Sequence, residues 1–384
     1  MISLKDKIRS SIFLQSYFDT LGFNNSYWEG NFGYNVIKTP GNAAFFWFSI
    51  IFNFFSLGGF SNIDIKEWNS SDDTILAIAT GLACIKGGSE KNYIEEYLKV
   101  LPELKDDKRL PGITTINSLE KIKRYQSIEK IDYSKSLGGN GAAMRTSVIG
   151  LIYYQEKDLD KLIENSILSS RVTHNSSLGF LGGFVTALFT SYAVRDIPVL
   201  SWVDKLLEIN DSGILDNYMK STNIFENYLK DKDEFFDKWM QYSEQRINKF
   251  KTSKKQSNEF SFFNEHAKSM EEYNFEGEIN YFKYGASGVS SLIVAYDSFL
   301  MSYGGNKRPL ETNSNDLKFS LDSLIFFSTL NYGDNDTTGA IAGAWYGALY
   351  GFEHFDKEKL EQLEFKNELE NLYDKTFNFV ISNK

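Results

Sequence analysis

The sequence predicts an all-α protein. Apolar residues recur at helical spacing over most of the 384 residues, and alternating strand-like runs bounded by hairpin signals are scarce. The four strongest apolar stretches, Asp73 to Ile85, Ala142 to Tyr154, Leu178 to Val194 and Thr337 to Gly351, are each preceded by a polar cluster that can start a helix. The first follows Ser70-Ser71-Asp72, where Ser and Asp are preferred N-caps and acids suit the helix dipole. The second grows out of the glycine-rich turn Leu137-Gly-Gly-Asn-Gly-Ala-Ala-Met-Arg145, and the third follows Thr173-His174-Asn175-Ser176-Ser177. The fourth follows Gly333-Asp334-Asn335-Asp336 and carries Gly339, Gly343, Gly347 and Gly351 on one stripe. Glycine inside a helix costs about 1 kcal/mol relative to alanine, so the stripe predicts a neighbouring helix packed very close.

Composition narrows the possible partners. The chain has 41 Lys+Arg against 51 Asp+Glu, a net charge of -10 that repels phosphate backbones and anionic membranes, so no nucleic acid and no membrane is expected as a partner. Cys84 is the only cysteine, which leaves no disulfide frame and no cysteine-based zinc site. Charges at Lys5, Asp6, Lys7 and Arg9 interrupt any apolar leader, and the expected location is intracellular, in the cytoplasm. Thr39 to Ile63 and Val172 to Val194 contain no Asp, Glu, Lys or Arg and are long enough to cross a bilayer. Pro40, Asn42, Asn53 and the Gly58-Gly59 pair, and the polar start of the second stretch, suit hydrocarbon poorly, so both are expected to be buried helices.

From about 209 to 278 the composition shifts to Lys, Asp, Glu, Asn and Tyr, as expected for a charged peripheral insertion or cap on a single domain spanning residues 1–384. The basic run Lys249, Lys251, Lys254 and Lys255 is offset by Asp231, Asp233, Glu234 and Glu259, and reads as a solvated face.

Two carboxylate clusters carry the chemistry. Taken alone, Ser71-Asp72-Asp73-Thr74 is explained as a helix cap with first-turn acids, whereas capping explains one acid of Asp334-Asn335-Asp336-Thr337-Thr338 but not two at spacing two plus two hydroxyls. Both clusters open unusually apolar helices, so four carboxylates are expected at the interior edge of one fold, where they repel unless cations neutralise them. Oxygen donors without cysteine suit Mg²⁺ or Mn²⁺ better than Zn²⁺, and two such ions could bridge the acids and activate a water. Other readings of the second cluster fail. An EF-hand loop beginning at Asp334 would need a glutamate where Trp345 stands. A haloacid-dehalogenase-type nucleophile motif would leave too little chain after Thr338, and a nucleotide-sugar transferase would need a parallel sheet. The turn around Gly139 to Gly141 has a geometry that lets backbone N–H groups meet a phosphate or ribose.

Taken together, these segments resemble the ADP-ribosylglycohydrolases, and among them the protein ADP-ribosylarginine hydrolases. The family's Gly-Asp-Ala-Leu-Gly opening is matched by Tyr17-Phe18-Asp19-Thr20-Leu21-Gly22, followed by Trp28-Glu29. Ser71-Asp72-Asp73-Thr74, Arg109-Leu110-Pro111-Gly112, Gly139 to Arg145, Thr173-His174, Gly333-Asp334-Asn335-Asp336-Thr337 and Ala340-Ile341-Ala342-Gly343 follow in family order. The resemblance implies an orthogonal bundle of helices around two Mg²⁺ ions, and hydrolysis of the N-glycosidic bond between ADP-ribose and arginine in ADP-ribosylated proteins, with ADP-ribose as product.

The resemblance also implies residue roles. Ser71, Asp72, Asp73, Asp334, Asp336 and Thr337 would ligate the ions, with Glu29, Asp72 and Asp73 as the catalytic acids. Gly139, Asn140, Gly141 and Ala142 with His174 would hold ribose and diphosphate, and Gly112 would lie over the phosphates. Tyr284, where the family has Trp, would line the adenosine region with Ser287 and Gly288. Val289-Ser290 departs from the His-Asp often found in arginine hydrolases. A serine or O-acetyl linkage, or a non-catalytic ADP-ribose binder, are the alternatives.

Overall fold

Small residues at spacing four decide the centre of the molecule. The computed structural model describes residues 2–29, 40–106, 108–248, 285–303, 319–331 and 333–383. Their main helices are α1 (Leu4–Phe23), α2 (Pro40–Ser56), α3 (Asp72–Ile85), α4 (Glu90–Leu104), α5 (Ile113–Tyr125), α6 (Ser147–Ile152), α7 (Leu159–Arg171) and α8 (Ser177–Val194). They continue with α9 (Trp202–Asp211), α10 (Phe225–Tyr242), α11 (Ser290–Ser302), α12 (Leu321–Thr329), α13 (Asn335–Tyr350) and α14 (Lys366–Ser382). Among the described residues there is no strand, only the isolated bridges Gly139–Ser287 and Tyr303–Phe319.

The glycine stripe of α13 lies along α1. A Cβ on Gly339 would fall 2.9 Å from the Phe18 carbonyl oxygen, one on Gly343 would strike the Leu14 carbonyl, and one on Gly347 would enter the Ser10–Ser11 peptide. Gly22 answers from α1, with a Cβ position 2.6 Å from the Asn335 carbonyl carbon. The close approach lets the Ser10 and Ser11 hydroxyls donate to the Gly347 and Ala344 carbonyls at 2.7 and 2.8 Å. Gly351 does not belong to the stripe: at φ 64° it ends the helix, its N–H bonding the Gly347 carbonyl at 2.9 Å.

The buried helix α8 packs against α6, α7, α10 and α13. It is the one helix among the described residues long and apolar enough to cross a membrane, and all of it is inside the protein. Phe189 at its core meets Trp202, Trp239 and Trp345 with ring centroids 5.3, 5.6 and 5.5 Å away. The helix expected from Ala142 to Tyr154 is broken into a 3-10 turn, Ala143–Arg145, and α6. The break falls at Thr146, whose hydroxyl donates to the Gly183 carbonyl of α8 at 2.7 Å, while the Arg145 guanidinium bends back to the Gly141 carbonyl.

The expectation of a wholly buried helix over Thr39 to Ile63 is corrected. In α2, Ile50 and Phe54 are buried one turn apart, but Phe45, Phe48, Phe52 and Phe55 are exposed. A single helix lying on the surface has only one face to bury, whatever its composition. Of the charged stretch 209–278, the described part includes α10, whose Tyr228, Phe235, Phe236 and Trp239 are buried; residues 249–278, including the basic run, lie outside the described residues.

Candidate active site

Helix starts bring the acids together. Ser71 caps α3, its hydroxyl accepting from the Asp73 N–H at 3.1 Å, and this fixes Asp72 and Asp73 in the first turn. Asp334 stands at the N-cap of α13, and Asp336, in the first turn, accepts from the Thr337 N–H at 2.9 Å. Glu29 reaches the same place because the Asn335 side chain donates to the Trp28 carbonyl at 2.6 Å, tying the segment after α1 to the start of α13. Trp28 is anchored behind it by Asn53 of α2 at 3.0 Å. As a result, carboxylate oxygens of Glu29, Asp334 and Asp336 lie within 4.8 Å of one another. Glu29 is therefore part of the acidic cluster itself.

The electrostatics are those of an anionic centre. Burial and then the Asp336 charge push the Asp72, Asp73 and Asp334 carboxyls well above their ordinary range. Asp73 Oδ2 is buried and has no hydrogen-bond partner among the described residues, while the Ser71 hydroxyl donates to Asp19 and the Thr337 side chain bonds Asp334. A donor set of carboxylate and hydroxyl oxygens with an orphaned carboxylate oxygen fits a hard cation, so this acidic group can hold a metal ion.

Three supporting residues were not singled out from the sequence. Asp19 on α1 is saturated by the N-cap and first turn of α3: its Oδ1 accepts from the Ser71 hydroxyl at 2.7 Å, and its Oδ2 from the Thr74 N–H at 3.1 Å and the Thr74 hydroxyl. Burial and Asp336 raise its carboxyl to about 7. Arg109 donates to the Ser70 carbonyl at 2.9 Å and to both oxygens of Glu364, while Glu364 accepts from the Ser70 N–H at 3.0 Å. The two side chains grip both backbone polar groups of Ser70, the residue that leads into Ser71. Asp19 and Arg109 stand in quoted motifs and carried a signal; Glu364 carried none.

The glycine turn adjoins the acids. Asn140 Nδ2 donates to Asp334 Oδ2 at 3.0 Å and to the Gly285 carbonyl at 2.8 Å, and the Asn140 N–H bonds the Ala286 carbonyl. His174 backs this turn: a Cβ on Gly139 would lie 3.3 Å from its Nε2, and one on Gly141 2.5 Å from its Cε1. Burial and the Arg145 charge lower the His174 imidazole to about 3, so it is neutral at physiological pH. Gly112 is exposed at the start of α5, with Thr115 linking it to Gly141.

The remaining residues named for substrate contact are placed less directly. Ala142 is fully buried under the turn. The Ser287 hydroxyl is engaged with Ser290 at 2.8 Å, and Gly288 packs against the Leu178 carbonyl at the start of α8. Tyr284 lies outside the described residues.

Comparison with known proteins shows the family and the fold. The ADP-ribosylglycohydrolase family pattern matches residues 2–383. The chain is similar to a protein named ADP-ribosylhydrolase ARH1 from Dictyostelium discoideum, at 34% identity over 96% of this chain and 93% of that protein. It is also similar to a putative ADP-ribosyl glycohydrolase, L444, from Acanthamoeba polyphaga mimivirus, at 31% identity over 96% of this chain and 69% of that protein. A solved structure described as an ADP-ribosylglycohydrolase-related protein complex shares the fold, with a TM-score of 0.56 over 98% of this chain and 99% of that one at 17% identity. With its acids and glycine turn assembled on an all-α frame, the chain belongs to the ADP-ribosylglycohydrolase family, which hydrolyses ADP-ribosyl linkages.

Proposed function

We propose that this protein removes ADP-ribose from arginine side chains of ADP-ribosylated proteins, with two divalent cations, Mg²⁺ or Mn²⁺, held by Ser71, Asp72, Asp73, Asp334, Asp336 and Thr337. The observation that carries the reading is the convergence of Glu29, Asp334 and Asp336 oxygens within 4.8 Å beside the glycine turn. Arginine is supported by the resemblance at Trp28-Glu29 and Ser71 to Thr74, and by the attraction of an acidic mouth for a delocalised guanidinium cation. A single domain spanning the chain is part of the proposal, supported by the packing of α1 against α13 and α14.

Bound divalent cations supply charge neutralisation and Lewis acidity at the ribose. The chain's own groups do the rest. Water adds to the anomeric carbon as the C–N bond breaks and its electron pair passes to the departing guanidine nitrogen; Glu29 Oε accepts the water proton and returns it to that nitrogen, so the carboxylate is regenerated. The Gly139–Gly141 turn and His174 hold the diphosphate and ribose, which keeps the anomeric carbon in reach of Glu29.

Purified protein incubated with arginine-, serine- and O-acetyl-linked ADP-ribose is expected to release ADP-ribose fastest from arginine, with Mg²⁺ and not with EDTA. Glu29→Gln is expected to slow that release roughly a hundredfold while ADP-ribose still binds, the usual loss on removing a general acid–base group. Faster release from serine overturns the arginine assignment; binding without release from any substrate marks a reader. Gly139→Ala tests the turn separately. Its Cβ has room except toward His174 Nε2 at 3.3 Å, so calorimetry should show ADP-ribose affinity falling about tenfold, with the melting temperature nearly unchanged.

A further inference from the structure

Behind the glycine turn lies a buried polar chain that ligand contact alone does not explain. Arg145 is fully buried, and its guanidinium is spread over four partners. Nε donates to the Tyr97 hydroxyl at 3.1 Å, Nη1 to the Gly141 carbonyl at 2.8 Å, and Nη2 to the Ser169 carbonyl at 3.0 Å and the Thr173 hydroxyl oxygen at 2.8 Å. Thr173 is likewise fully buried, and its hydroxyl oxygen stands 2.8 Å from His174 Nδ1.

Counting protons along this chain fixes the imidazole. A threonine hydroxyl has one proton and two lone pairs. Arginine can only donate, so one lone pair of Thr173 is taken by Arg145. The hydroxyl proton then has one acceptor in reach among the described residues, His174 Nδ1. The alternative, Nδ1–H donating to Thr173, strands the Thr173 proton in the interior, at a cost of about 1–3 kcal/mol. Nδ1 is therefore the acceptor, and the ring proton sits on Nε2. That nitrogen makes no hydrogen bond within the described residues and faces the bare edges of Gly139 and Gly141.

We propose that Arg145 and Thr173 are positioning residues that lock His174 as an Nε2–H donor toward an oxygen of the bound ligand, a phosphate or ribose oxygen of ADP-ribose. The inference rests on the reading of the glycine turn as the ADP-ribose subsite. One cation thereby sets both walls of that subsite, since Nη1 holds the turn through the Gly141 carbonyl and Nη2 sets the ring through Thr173. A neutral donor of fixed tautomer recognises an acceptor oxygen without a pH-dependent charge, which suits a ring buried beside a permanent cation.

The test reads the tautomer directly. Full-length protein in a His266→Gln/His354→Gln background, labelled with ¹⁵N in the remaining imidazole, is observed by long-range ¹H–¹⁵N NMR at neutral pH without ligand. Thr173 as found and Thr173→Ser are expected to give a single neutral ring protonated on Nε2. Thr173→Val, which keeps the shape and loses the hydroxyl, is expected to lose exclusive Nε2 protonation. Calorimetric ADP-ribose affinity should fall about tenfold in Thr173→Val and stay within threefold in Thr173→Ser.

A proton on Nδ1 in the protein carrying Thr173 overturns the relay, and this measurement stands even if Thr173→Val fails to fold. Movement of tautomer without affinity, of affinity without tautomer, or of neither in Thr173→Val also overturns it. If the ring is protonated on Nε2 but ADP-ribose does not bind the protein carrying Thr173, the subsite reading fails, and the relay is judged on the tautomers of the two variants.

Discussion

Asp336→Asn is expected to leave no measurable release of ADP-ribose, and at the same time to raise the melting temperature of the cation-free protein. Both effects follow from one position. Asp336 shares the 4.8 Å cluster with Glu29 and Asp334, so amidation removes an anionic oxygen from the proposed metal site. After burial, its charge is also the strongest influence raising the carboxyls of Asp19, Asp72, Asp73 and Asp334.

The pH dependence has a definite sign. Acids raised above their ordinary value of 3.8 bind more protons in the folded than in the unfolded chain, so their contribution to folding stability is greatest at low pH and falls as pH rises through the folded values, for Asp19 about 7. In EDTA the unsubstituted protein should therefore melt at progressively lower temperature from about pH 5 to pH 8, and Mg²⁺ should reverse the loss by binding the folded state. Asp336→Asn should show a shallower pH slope and a smaller response to Mg²⁺. Full turnover by this variant, or identical slopes in differential scanning fluorimetry, would defeat the metal assignment.

Gly343→Val is expected to prevent stable folding. A Cβ at Gly343 would strike the Leu14 carbonyl, and the Phe18 ring lies 2.9 Å from the same point, so backbone would have to move and no rotamer relieves the clash. The loss should reach about 3 kcal/mol or more, the upper end for overpacked interiors, read by urea titration or as insoluble expression. Gly112→Ala is the control. Its Cβ meets only Thr115 Oγ1 at 3.8 Å, and its melting temperature should not change. Stable folding of Gly343→Val would mean that α1 and α13 are not bound by this close approach.

The success and failure of the sequence reading have separate physical causes. Helical periodicity is local information, and it located α3, α8 and α13 to within a residue or two of their ends. The break at Thr146 was invisible because its cause is a hydrogen bond to Gly183 on another helix. The exposure of the α2 aromatics was invisible for a related reason: a run of Phe states what would gain from burial, not whether a partner is there. In the candidate site, the acids at helix starts were readable because capping and metal binding draw on the same residue types. The place of Glu29 beside Asp334 depends on the Asn335 amide meeting the Trp28 carbonyl, a contact with no trace at the level of residue spacing. Arg109 was legible as part of a motif, but its pairing with Glu364, far away in sequence, was not.

The α1–α13 crossing also sets a timetable for synthesis. Gly22 meets Asn335, so α1 packs on a helix made much later. At roughly 5–20 residues per second, a ribosome takes some tens of seconds to travel between them. During that interval α1, buried along nearly its whole length in the finished protein, has its apolar side uncovered. No nascent fragment ending before α13 can complete the acidic cluster, because Asp334 and Asp336 have not yet been made. A cation offered before α13 is made therefore cannot guide folding, and helpers that shield α1 should raise the yield of native protein more than added metal does.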